Sequence, residues 1–219
     1  MGFIFFNAYI VLKESTHMKT KATPASRLLF TTIIALALIS CKKESSDTPA
    51  KTGPVMEYFS FNDREIRENT GGFSIDVDHD GRNDLAFTTL LVGDPLNQVD
   101  KRQFLVSSNI QVNLPVNGNE EIPVMNSGDA IVLNNFNGYQ WFELSAILLV
   151  QKITSFNAPV RWEGRWKNVS HKYMPYQLLK NNDRYNGWIE ISVDIANGKV
   201  IVHRAAISKE PNRAIKAGQ

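Results

Sequence analysis

Cysteine is almost missing: Cys41 is the only one in 219 residues. That excludes a disulfide framework and any zinc site built on thiolates. Histidine is scarce at four residues, and none belongs to an H-E-x-x-H motif; G-x-S-x-G is absent as well. No segment repeats at a period of about 20 to 50 residues, which argues against a solenoid or propeller. The longest apolar run, Leu28–Ile39, is shorter than the roughly 20 residues a membrane-crossing helix needs. Strong charge of one sign is also lacking. The formal net charge is +2, from 24 basic and 22 acidic residues. Residues 1–40 contribute Lys13, Lys19, Lys21 and Arg27 against Glu14, so 20 basic and 21 acidic residues remain downstream, a net of −1. The body therefore carries no nucleic-acid footprint. With 43% hydrophobic residues it is not a disordered polymer either.

What is present begins with an ordered N-terminal pattern. In residues 18–41, Lys19, Lys21 and Arg27 precede the apolar run, which ends in Leu38-Ile39-Ser40-Cys41. A positive segment, a short apolar core and a small residue before cysteine resemble the signal and lipobox of bacterial lipoproteins. The resemblance implies cleavage before Cys41, diacylglycerol on its thiol and an acylated new amino terminus. Several acyl chains anchor stably where one is marginal. Residues 18–40 are then the signal peptide, and 1–17 are either a mis-assigned start ahead of Met18 or an extension of its positive segment. Residues 41–54, charged and bearing Ser, Pro and Gly, read as a flexible tether. Lys42-Lys43-Glu44 resembles the charged sorting signals of some outer-membrane lipoproteins. The expected location is the cell envelope, at the outer membrane, with the membrane itself as partner through the lipid anchor on Cys41.

Residues 55–219 read as one mainly β domain, a sandwich or a closed antiparallel sheet with at most one or two short helices. Strand patterns cover Val55–Phe61, Phe73–Val77, Leu85–Val92, Gln103–Leu114, Ile131–Leu133, Tyr173–Leu179 and Trp188–Ile195. Ile189, Ile191, Val193 and Ile195 alternate with Glu190, Ser192 and Asp194, predicting one dry face. Asn197-Gly198 predicts a type I′ turn returning as Lys199–Ile207. Asn117-Gly118, Asn137-Gly138 and Asn186-Gly187 add three further turn signals. Glu143–Ile153 suits either a buried strand or a helix.

The chemistry concentrates in residues 76–84, Asp-Val-Asp-His-Asp-Gly-Arg-Asn-Asp. Acidic side chains at positions 1, 3, 5 and 9 and glycine at 6 let alternate residues of a tight loop face one hard cation. The expected calcium ligands are Asp76, Asp78, Asp80, the Arg82 carbonyl and Asp84; His79 points outward. Phe87 at position 12 and flanking strands exclude an EF-hand. The loop resembles the DxDxDGxxD calcium sites of FG-GAP and integrin-type propeller repeats, here present once. More broadly, DVDHDGRNDLAF, Arg184–Val193 and the Ala214-Ile215-Lys216-Ala217-Gly218 end resemble exported bacterial β-domains with DxDxDGxxDxxF, hYGW and AIxAG segments. In this chain Asn186 replaces the Tyr before Gly. The resemblance implies no particular activity.

Two ligand classes remain alternatives to a purely structural role. Trp162 and Trp166, in the charge-interrupted Arg161–Lys167 stretch, are candidate platforms for glycan or envelope-polymer stacking; Trp141, Trp188, Tyr173 and Tyr176 more simply fill a core. An envelope hydrolase would draw on Glu163, His171 and His203. No catalytic residue is assigned from sequence.

Overall fold

A computed structural model describes residues 53–143 and 145–219. The signal segment, residues 1–17, Cys41 and most of the tether lie outside the described residues. Among those residues all regular structure is β. The thirteen strands are β1 (Met56–Arg67), β2 (Phe73–Ile75), β3 (Leu85–Asp94), β4 (Val99–Ser108), β5 (Val112–Val116), β6 (Ala130–Ile131), β7 (Gln140–Glu143), β8 (Ala146–Ser155), β9 (Arg161–Glu163), β10 (Lys172–Lys180), β11 (Asp183–Asp194), β12 (Lys199–Ser208) and β13 (Ile215–Lys216).

A six-stranded antiparallel sheet runs β1-β12-β11-β10-β5-β7 and a five-stranded one runs β2-β3-β4-β8-β9. They pack face to face as a sandwich, not a closed barrel. Ile66, Tyr176, Ile189, Ile191 and Val202 of the larger sheet meet Leu85, Phe87, Phe104 and Leu149 of the smaller in the main core. A second core covers the outer face of the larger sheet, where Tyr173, Trp188 and Ala206 lie under Ile131, Ile215 and Ala217 of the β6–β13 pair. The Trp188 strand and the Ile215–Ala217 end, two segments of the sequence resemblance, thus pack on each other.

The second core corrects the one-dry-face reading of β11. Its apolar positions face the main core as expected, but Glu190 and Ser192 are buried too, at 5% and 8% exposure. Glu143–Ile153 resolves as strand: β7 ends at Glu143, β8 begins at Ala146, and Leu149 and Val150 are buried. The run Gln103–Leu114 is not one strand. Asn109 Oδ1 accepts the Gln111 N–H at 2.8 Å, a local turn that ends β4 and sends β5 into the other sheet.

The turns also differ in place. Asn197-Gly198 closes a four-residue loop between the paired ends Asp194 and Lys199, and only Gly198 has positive φ. Asp194 holds that loop by accepting from the Asn197 N–H and Nδ2. The two-residue turn with both φ positive occurs at Asn137-Gly138 and at Asn181-Asn182. Asn186-Gly187 lies inside β11. There the Asn186 side chain donates to the Ile131 and Arg213 carbonyls and accepts from Gln177 Nε2, tying the second core to the sheet.

Candidate metal centre and histidine cluster

Residues 76–84 form the β2–β3 connection, closed by the Ile75–Leu85 pair. Ligand oxygens of Asp76, Asp78 and Asp84 lie within 4.8 Å of one another. The loop shapes itself around them. Asp76 accepts from the Asp80 and Gly81 N–H groups at 3.3 and 2.9 Å, and Gly81 has φ +87°. Asp84 is nearly fully buried, accepting the Val77 N–H at 2.8 Å and Asn109 Nδ2 at 3.1 Å. Asp78 meets Lys180 Nζ at 2.8 Å. The loop belongs to the smaller sheet, Asn109 stands at the corner between sheets, and Lys180 ends β10 of the larger one. The acidic centre therefore bridges both layers at one end of the sandwich.

The electrostatics follow this geometry. Burial pushes the Asp84 carboxyl up, the Val77 N–H and Asn109 pull it back, and the charges of Asp78 and Asp76 add to the rise. Burial also acts against Asp76, but N–H groups from Gly81, Asp78, His79 and Asp80 outweigh it and hold its carboxyl low. The hydrogen bond to Asp78 pushes the Lys180 ammonium up. Of the expected set, three carboxylates converge. Asp80 instead accepts the Arg82 N–H at 2.8 Å, and the Arg82 side chain is exposed. His79 is exposed, packing edge-on against Phe59.

The aromatic platform is overturned. Trp166 is fully buried in the main core, where its backbone N–H donates to the Leu149 carbonyl and draws the segment over β8. Trp162 is partly buried with its ring against Phe104, centroids 5.9 Å apart. The two rings therefore offer no shared exposed face to a sugar. Glu163 sits on edge strand β9, paired with Arg161.

His171 and His203 come together. Their rings stack at 4.3 Å with 20° between planes. His171 Nδ1 is 2.7 Å from Glu190, which also receives Arg204 Nε. His203 Nδ1 is 2.6 Å from Asp63, and its Nε2 is 2.7 Å from Ser192 Oγ. The His171 backbone N–H donates to the same Oγ at 2.9 Å. Sequence reasoning missed Asp63, Glu190, Ser192 and Arg204. The available signal was the polar pair Glu190 and Ser192 in an apolar strand, opposite His203-Arg204 on its hairpin partner.

No family model, curated protein or solved structure matches the chain.

Proposed function

We propose that the chain is a lipid-anchored protein of the cell envelope whose β-domain is clamped by one calcium ion, with a binding or structural role there. The convergence of Asp76, Asp78 and Asp84 carries the calcium part of this reading. Carboxylates that close favour a hard cation, because unscreened they repel one another. Asp80 and the Arg82 carbonyl complete the shell by turning inward from the exposed side of the loop. Lys180 supplies one positive charge to the same cluster and competes with the ion. The anchor part rests on the ordered signal pattern ending in Cys41. Replacing Cys41 with Ala is expected to abolish lipid labelling and release the chain from membranes; retention as an acylated protein would refute the anchor.

The calcium reading is tested by thermal melts of the full chain in EGTA, Ca²⁺ and Mg²⁺. Extracellular calcium sites bind at about 10⁻⁴ to 10⁻³ M. Ligand at about 100 times Kd stabilises by roughly 2.7 kcal/mol, or roughly 5–11 °C for a domain of this size. Mg²⁺ should do less, since it keeps a tight octahedral water shell. Asp78→Ala should remove most of the shift, and Lys180→Gln should enlarge it. Equal melting in EGTA and in roughly 10 mM Ca²⁺, ten times the weak end of that range, would leave the loop a solvated turn.

A further inference from the structure

Two irregularities of the larger sheet fall at one residue. In the β1–β12 pair, Ser60 faces Arg204 and Arg64 faces Val202, so Phe61, Asn62 and Asp63 bulge opposite His203. In the β11–β12 pair, Glu190 faces Arg204 and Ile191 faces Val202, so His203 is again the unmatched residue. Bulges re-aim side chains. Here they set Asp63 on one ring nitrogen of His203 and Ser192 on the other. Asn62, Asp63 and His171 all hold left-handed φ, between 49° and 54°.

We infer that Ser192, His203 and Asp63 act as nucleophile, general base and positioning carboxylate in the hydrolysis of carboxylic esters of small acyl groups. This goes beyond the calcium and anchor reading and does not depend on it.

For a neutral His203 the partners fix the proton positions. A carboxylate only accepts, so His203 Nδ1 carries the proton facing Asp63. Neutral His203 then has a lone pair on Nε2, and the Ser192 hydroxyl must donate to it. The His171 N–H donates to the same oxygen and fixes its rotor. This is the arrangement that activates a serine: a base on the hydroxyl and a carboxylate orienting the base. Tyr58, Phe59, Asp63, His171, His203 and Arg204 help line an open recess of about 540 Å³. Ser192, 8% exposed, does not itself line the recess but hydrogen-bonds to His171 and His203, which do. The proposed substrate is therefore restricted to a small acyl group that can pass them to Oγ.

In the reaction Ser192 Oγ bonds the ester carbonyl carbon as its proton passes to His203 Nε2. Asp63 stabilises the resulting imidazolium. The carbonyl–alkoxy bond then breaks, and His203 returns the proton to the departing alcohol. Water repeats the sequence on the acyl-serine, releasing the carboxylic acid and restoring the hydroxyl.

The test treats the full chain with a fluorophosphonate, which phosphonylates activated serines, and maps the adduct by mass spectrometry. A single adduct on Ser192 is expected. Hydrolysis of 4-nitrophenyl acetate should fall about 100-fold or more in Ser192→Ala and His203→Gln. Asp63→Asn should lower kcat and change the pH profile, which a purely structural contact would not do. An unmodified Ser192 in folded wild-type protein overturns the proposal without recourse to any variant. So does ester hydrolysis that persists unchanged in Ser192→Ala.

Discussion

Trp188→Ala is expected to lower the melting temperature by roughly 8–16 °C. The indole is fully buried at the centre of the second core. Tyr173 meets it edge-on at 5.2 Å and Tyr58 at 6.2 Å, and the Arg204 guanidinium lies 5.3 Å from its ring centre. Its Nε1 donates to the Gln219 carbonyl at 3.4 Å. Truncating a buried tryptophan costs about 3–5 kcal/mol, because the lost transfer energy is joined by an incompletely collapsed cavity. At 2–4 °C per kcal/mol for roughly 150–250 residues, about 4 kcal/mol gives the stated shift. The C-terminal strand should loosen with it, since Ile215 and Ala217 pack in the same cluster. Hydrogen exchange across residues 213–219 should therefore accelerate in the variant. A melt lowered by less than about 3 °C would show that the second core contributes little.

Gly164→Ala is the second large effect, expected to cost about 3 kcal/mol. Gly164 follows β9 at φ +121°, a conformation that L side chains rarely adopt. A Cβ there would stand 2.6 Å from the Leu149 carbonyl oxygen and 2.8 Å from the Val150 Cα. Both are backbone atoms of β8, the neighbour of β9, so no rotamer change relieves the clash. Overpacking typically costs 1–3 kcal/mol, and the forced φ adds about 1 kcal/mol or more. A drop of roughly 6–12 °C follows. Gly53→Ala, with nothing within 4 Å of the added carbon, is the control expected to melt like wild type. Equal melting of both variants would refute the close approach of residue 164 to β8.

That close approach is also where the sequence misled. Arg161-Trp162-Glu163-Gly164-Arg165-Trp166-Lys167 looks like a surface stretch because charges separate its aromatics. The backbone reversal at Gly164 turns Trp166 into the core while Arg161, Glu163 and Arg165 stay outside. Alternation cannot anticipate a reversal set by one residue. Strand reading succeeded in placing elements: Leu85–Val92, Tyr173–Leu179 and Lys199–Ile207 fall within β3, β10 and β12, although burial on both faces blurs the period in β10 and β11. It failed at Asn109, whose side chain supplies a turn that the surrounding β-formers conceal.

The two candidate sites were unequally legible for a related reason. Residues of the acidic loop are neighbours in the chain, so their spacing alone brings three carboxylates together. Asp63 and His203 are 140 positions apart. Only the register of β1 on β12, offset by a bulge, makes them partners. No local pattern in a single sequence encodes that offset.

The same bulge bears on how the protein behaves when crowded. Sheets can polymerise through unpaired outer strands, and the risk rises with the length of flat edge on offer. The outer strands β2, β7 and β9 span three or four residues each, whereas β1 spans twelve. Its outward ladder would be a ready template for a second chain. Phe61–Asp63 interrupt it near the middle, and Glu57, Arg64, Glu65 and Arg67 place charge along its length. The irregularity that positions Asp63 thus also blunts β1 as a template for edge-to-edge addition.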